Sequence, residues 1–178
     1  MGKSELTVIV IDGPSSSGKT SILQAFHRLA AVQHLSFSID EFLPILPVGT
    51  FEARAGSDSG WIAICRDFHE HLAIAQKANE KMIVEVMLPW PEARQDLFRQ
   101  LGRAEIYYVQ CYCALPELER RERQRGDRRI GLTRSHFERV YAFRGYDLQI
   151  DTTVSSPEEC AAQILAGAEG GLLSHGHD

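Results

Sequence analysis

The chain has 178 residues and a net charge of −5, with 44% apolar and 24% charged residues. That length suits one domain with a sizeable core and is short for two. The acidic balance argues against a general binder of nucleic acid or membrane surfaces, and no apolar run is long enough to cross a bilayer.

LTVIVI, residues 6–11, reads as a first strand. The run is too short, and too soon followed by Asp12, to be a signal peptide. A helix is predicted over 19–31, with Ile22, Leu23, Phe26 and Leu29 on one face. A second strand follows at 35–39, and 41–60 is irregular, broken by Pro44, Pro47 and several glycines. A long helix (61–79) leads to a third strand (81–88). The next helix opens at Pro91 and closes at Gly102, before a fourth strand at 104–113. Helices at 116–126 and 135–144, a short strand at 146–151 and a last helix at 157–168 complete the pattern. The histidines of the tail, His175 and His177, read as solvated rather than as metal ligands. Apolar strands, each followed by a helix, predict an α/β fold with a parallel sheet covered on both faces. Ligands of such sheets bind beyond the carboxyl ends of the strands. The cysteines Cys65, Cys111, Cys113 and Cys160 form no C-x-x-C pair and read as reduced thiols of a cytoplasmic protein.

GPSSSGKT, directly after the first strand and opening a helix, matches G-x-x-x-x-G-K-[ST]. Gly13, Pro14, Ser15, Ser16, Ser17, Gly18, Lys19, Thr20 and Ser21 are therefore the candidate phosphate-binding residues. Glycines let the backbone N–H groups form a nest, and the helix adds its N-terminal partial charge. Lys19 suits the outer phosphates, and the Thr20 hydroxyl suits Mg²⁺. The expectation is a nucleoside triphosphate with Mg²⁺. A dinucleotide is disfavoured because G-x-G-x-x-G is absent.

Asp40, at the predicted end of the second strand, is a candidate base for a hydroxyl attacking a phosphoryl group. It could equally cap a short helix. Glu85 interrupts a buried strand, where a charge needs a partner or a metal. It is read as a Mg²⁺ ligand through water, with a salt bridge to an arginine as the alternative. Asp12 is a weaker candidate of the same kind. RRERQRGDRR, residues 120–129, holds six arginines, and Arg121, Arg125 and Arg128 share one helix face. Guanidinium forks suit phosphates, and a segment closing over a triphosphate would neutralise charge. Ion pairs to Glu117, Glu119 and Glu122 are the alternative. Asp151, Thr152 and Thr153 follow the last strand, where a loop can reach a nucleobase or simply start a helix.

Together DGPSSSGKTSI, SIDEF, RRERQRGDR and DLQIDTT resemble chloramphenicol phosphotransferase and its relatives among the P-loop small-molecule kinases. The resemblance spans about residues 6–168. It implies a three-layer P-loop kinase fold with a five-stranded parallel sheet. It also implies one domain over 1–178, with an arginine-rich lid near 121–134 and an acceptor-side insertion near 41–80. The activity it implies is transfer of the ATP γ-phosphate to a hydroxyl of a small molecule, an antibiotic among the candidates. Lys19 and Thr20 would hold phosphates and Mg²⁺, and Asp40 would be the base. Arg121, Arg125 and Arg128 would belong to the lid, with Asp151, Thr152 and Thr153 near the nucleobase. Phe42, Leu43, Phe51 and Trp61 would line the acceptor pocket. Two departures stand out: Glu85 is alone where the family pattern has two adjacent carboxylates, and 41–60 does not match closely. A nucleoside or nucleotide kinase and a nucleotide-binding regulatory switch remain open alternatives, though no N-K-x-D guanine signature is present. Neither the acceptor nor the oligomeric state is legible.

Overall fold

The computed structural model describes residues 7–78, 81–102, 104–125 and 131–170. Strands β1 (Thr7–Asp12), β2 (Leu35–Ser38), β3 (Met82–Val86), β4 (Glu105–Tyr112) and β5 (Leu148–Asp151) form one sheet in the order β2-β3-β1-β4-β5. Every pairing in it is parallel. Successive side chains of a strand point to opposite faces, and both faces here are covered. Val8 and Val10 of β1 join one core with Phe68 and Leu72 of α4 (Asp58–Gln76) and Leu97 of α5 (Pro91–Leu101). Ile9 and Ile11 join the other, with Ile22 and Phe26 of α1 (Lys19–Leu29) and Ile164 of α8 (Pro157–Gly170). Each such fully buried side chain contributes about 1.5–3 kcal/mol. The result is the expected three-layer α/β arrangement.

The remaining elements crowd the carboxyl end of the sheet. Between β2 and α4 lie α2 (Ile39–Phe42), a single 3-10 turn (Leu43–Ile45) and α3 (Thr50–Arg54). Beyond β4 lie α6 (Leu115–Arg125) and α7 (Leu132–Tyr141). The segment read as irregular is thus partly helical, and serines set its boundaries. The Ser38 hydroxyl accepts from Asp40 N at 3.2 Å, so β2 ends at Ser38 and α2 is capped by Ser38, not by Asp40. Ser57 caps α4 in the same way, accepting from Gly60 N at 3.1 Å, so that helix starts before Trp61. Helix α7 starts before Ser135 because Glu122, buried on α6, accepts from Gly131 N at 2.9 Å and Thr133 N at 3.0 Å. A carboxylate satisfies the exposed N–H groups there and meets the positive end of the helix.

Asp12 has no place in a ligand site. It is fully buried beneath the loop that follows β1. It accepts from Leu88 N at 3.0 Å, the Tyr108 hydroxyl at 2.6 Å and the Tyr146 hydroxyl at 3.1 Å, with Arg94 at 3.6 Å. Its charge pushes Tyr108 further up from its ordinary value, behind the larger effect of burial. Removing one member of a buried charged network leaves the others uncompensated. Asp12→Ala should therefore cost about 3–5 kcal/mol, read from urea unfolding; a loss under about 1 kcal/mol, the size of a surface pair, would show the network to be dispensable.

A second buried polar pair joins α4 to α5. His69 Nδ1 donates to Asp96 Oδ2 at 2.9 Å, and Asp96 also pairs with Arg99. Burial lowers the His69 pKa from 6.5, opposed by Asp96. The unfolded chain therefore takes up a proton as pH falls through 6.5 while the folded chain does not, so stability is lost below that pH. The urea midpoint should fall between about pH 7 and pH 5, and His69→Asn, which keeps a donor near Asp96 but cannot titrate, should make that slope shallower. An unchanged slope would assign the pH dependence to other groups.

Candidate active site

The loop after β1 is folded by backbone conformations that few residues accept. Ser16 and Gly18 have φ of 64° and 97°, both left-handed. Alternating conformations of this kind turn successive N–H groups toward one point, the arrangement that binds anions. Gly13 meets a different constraint: a Cβ there would stand 2.7 Å from the Cys111 carbonyl and 2.8 Å from Ser17 Oγ. Only glycine lets the chain leave β1 this close to β4. Lys19 Nζ donates to the carbonyls of Gly13 and Pro14, at 2.8 and 2.9 Å, which folds its side chain back over the loop.

The loop is buttressed from the turn after β5 and from α6. Thr152 Oγ1 donates to the Ser17 carbonyl at 2.7 Å. Arg121 donates to the Thr152 carbonyl at 2.6 Å and to Ser17 O at 3.4 Å, while its Nε is held by Glu117 at 2.7 Å. Arg120 and Arg121 hold the Glu117 carboxyl well below its usual range, at about 2. Thus the ion pairs weighed against a phosphate role do exist, and Arg121 still faces the loop. Arg121 and Arg125 both line a cavity of about 330 Å³ with Ser15, Ser16, Gly18, Lys19, Thr20 and Ser21. Ser155 and Pro157 also line it, and no motif pointed to them. Arg128 lies outside the described residues.

Thr152 is the one residue of the Asp151–Thr153 turn that lines this cavity. Asp151 Oδ1 accepts from Thr153 N at 2.8 Å, and Thr153 Oγ1 from Ala114 N at 2.8 Å, so both shape the turn. Glu85 accepts from the Thr20 hydroxyl at 3.1 and 3.2 Å and from the Ser38 hydroxyl at 2.6 Å. Among the described residues its partners are two hydroxyls, not an arginine. Among the described residues no cluster of three or more His, Cys, Asp or Glu could hold a metal. One carboxylate and a hydroxyl still fit Mg²⁺, which keeps several waters and takes the rest of its ligands from phosphates.

A second cavity of about 350 Å³ opens beside the first. Ile39, Leu43, Phe51, Trp61, Val86, Met87 and Trp90 form its apolar walls. Phe42 was expected there, but it packs into the core, 5.3 Å from the Phe68 ring. Trp61 and Trp90 lie with planes 16° from parallel and centroids 6.5 Å apart, and Phe51 meets Trp61 edge-on. Cys65 is part of the wall, and burial pushes its thiol up to about 12, so it is no nucleophile. Ser15, Lys19, Asp40 and Glu85 line both cavities.

The model of the chloramphenicol phosphotransferase-like protein family matches residues 6–169. The chain belongs to that family. Two Mycobacterium tuberculosis proteins, one in each of two strains, carry the name "Putative O-phosphotransferase" and are 27% identical over 92% of this chain and 82% of theirs. An APS kinase of Mycobacterium tuberculosis, solved with AMPPNP and APS, superposes with a TM-score of 0.70 at 18% identity over 93% of this chain and 98% of its own. A gluconokinase of Sinorhizobium meliloti gives 0.70 at 19% over 92% and 91%. At those identities the likeness is one of fold, and the fold is that of the P-loop kinases. The protein is an ATP-dependent phosphotransferase. Among the described residues no helix is long and apolar enough to cross a membrane.

Arg121 reaches the loop through a planar fork that lysine lacks. Arg121→Lys should weaken binding of a non-hydrolysable ATP analogue by roughly tenfold, about 1.4 kcal/mol, with at most a small fall in the urea midpoint from the lost contacts to Glu117, Ser17 and Thr152. Calorimetry showing undiminished affinity would leave Arg121 a brace of the loop only.

Proposed function

We propose that the protein moves the γ-phosphate of ATP to a hydroxyl of a small, uncharged acceptor with an apolar body, with Asp40 as the base. The observation that carries this reading is the sharing of Lys19 and Asp40 between a phosphate-loop cavity and an aromatic one. A triphosphate on residues 13–21 would present its outer phosphate at that junction. An acceptor against Trp61 and Trp90 would present its hydroxyl to the same place.

In this reading Asp40 takes the proton as the acceptor oxygen forms its bond to phosphorus and the bond to the leaving ADP oxygen breaks. Lys19 turns from the loop carbonyls to the phosphate oxygens. Arg121, Arg125 and Arg128 offset charge on the transferring group, which is where such sites gain most of their rate. Thr20 and Glu85 would hold Mg²⁺, whose contribution is to neutralise charge between the outer phosphates. The nucleobase would lie toward Thr152. An acceptor carrying its own phosphate fits less well, because Lys19 is the one cation among the described residues of the second cavity and already serves the first. Antibiotic alcohols fit the aromatic wall, which makes resistance a candidate role; a cytoplasmic location follows from ATP use.

The test is phosphate transfer from Mg²⁺-ATP to a panel of uncharged alcohols, antibiotics and nucleosides, read by product mass. Asp40→Asn should lower kcat by about 10²–10⁴ with little change in acceptor KM, and Lys19→Ala should abolish transfer. Circular dichroism should stay native for both. Full turnover by Asp40→Asn would remove it from the base role, and a panel of nucleosides as the sole acceptors would replace the reading with a nucleoside kinase.

A further inference from the structure

A single hydroxyl joins two of the residues that line both cavities, Glu85 and Asp40. Ser38 ends β2, and the parallel register sets it directly beside Glu85 of β3. Paired residues of neighbouring strands turn their side chains to the same face, and the Ser38 hydroxyl lies 2.6 Å from Glu85 Oε1. The same oxygen accepts from Asp40 N at 3.2 Å. An N–H can only donate and a carboxylate can only accept, so the hydroxyl has no choice of direction. Its hydrogen is committed to Glu85. Ser38 is only 5% exposed, so little water competes for that hydrogen.

Glu85 depends on that bond. It is buried, and the residues after it, Val86 and Met87, bring no second carboxylate. Its other donor, Thr20, stands 3.2 Å from Oε1 and 3.1 Å from Oε2, so one hydrogen is divided between two oxygens and favours neither. The shorter bond from Ser38 breaks that symmetry. It holds Oε1 toward β2 and leaves Oε2 as the oxygen that can turn to an ion beside Thr20. Mg²⁺ demands near-ideal geometry of its ligands. A hydrogen bond that orients a metal-facing side chain from behind is worth about 10–100-fold in metal affinity.

Resting on the Mg²⁺ site of the function proposed above, we infer that Ser38 is a positioning residue that acts through Glu85. It orients the carboxylate that faces the metal and touches neither metal nor phosphate itself. Ser38 is absent from the wall of the phosphate-loop cavity, which includes Thr20, Asp40 and Glu85. The same oxygen caps α2, so the carboxylate of the metal site and the backbone of the proposed base are held from one point. Alanine in its place would release both, whereas threonine keeps the hydroxyl.

The test is calorimetric and needs no acceptor. AMPPNP affinity is measured with Mg²⁺ and again with EDTA, and the ratio of the two is the contribution of the metal. Ser38→Ala should cut that ratio at least about fivefold, with the affinity in EDTA little changed. Ser38→Thr should recover most of the loss. In a Glu85→Gln background Ser38→Ala should change the ratio no further, because the two residues act as one unit. A wild-type ratio in Ser38→Ala, no recovery in Ser38→Thr, or an equal further loss on top of Glu85→Gln would each overturn the role of Ser38. So would a fall of the EDTA affinity that matches the fall with Mg²⁺, which is the signature of a disturbed fold. If Mg²⁺ did not tighten AMPPNP in the wild type, or if Glu85→Gln left the ratio unchanged, the metal site of the proposed function would itself fall.

Discussion

A charge buried under the phosphate loop is the constraint from which the site follows. The Asp12 carboxylate ends β1 with no access to water, so every polar neighbour within reach is drawn to it. Leu88 N comes from the turn after β3, Arg94 from α5, Tyr108 from β4 and Tyr146 from the approach to β5. Arg94 is in turn capped by the Phe143 ring at 4.3 Å and donates to Leu88 O at 2.6 Å. Four segments are thereby fixed to the point where the loop leaves the sheet. A loop whose N–H groups must converge on a phosphate within tenths of an ångström needs such a base, because misplacement of that order is costly to catalysis.

Above that base two cavities of unlike character meet. One is walled by backbone, hydroxyls and guanidinium groups, the other mainly by aromatic and aliphatic side chains. Their common residues are polar. That division suits a reaction in which one substrate is a polyanion and the other is held by its apolar body. Binding through the apolar wall orients the hydroxyl without placing a competing charge beside the phosphates.

The sequence made the chemistry more legible than its surroundings. The phosphate loop announces itself because its spacing is local, and all of its functional groups lie within one turn and one helix start. Alternating apolar strands and helices foretold the sheet for a similar reason. Asp12 was misread because its partners lie up to 134 positions away and nothing local marks a carboxylate as structural. Asp40 was placed at a strand end because the cap at Ser38 competes with the strand only once Glu85 and the Ser38 hydroxyl are brought together. His136 gave no signal at all: a lone histidine on an amphipathic helix joins the aromatic wall only when α7 folds over it. Glu122 sat in a run that read as ion pairs, and its acceptance of the first N–H groups of the next helix was not foreseen.

Helix α7 touches both halves of the site within a single turn. The Thr133 hydroxyl lies 3.0 Å from Glu122 and 3.5 Å from the Ser15 carbonyl of the phosphate loop, and His136, three positions on, belongs to the aromatic cavity. One helix therefore touches the phosphate loop and lines the aromatic cavity. With the acceptor in the aromatic cavity, as proposed, any movement of Ser15 on filling the loop would shift the wall that meets it. The two affinities are then linked, and linkage is reciprocal: whatever factor ATP lends to the acceptor, the acceptor must return to ATP. An enzyme built this way gains a means of favouring the ternary complex over either half-filled state, and with it a guard against spending ATP on water.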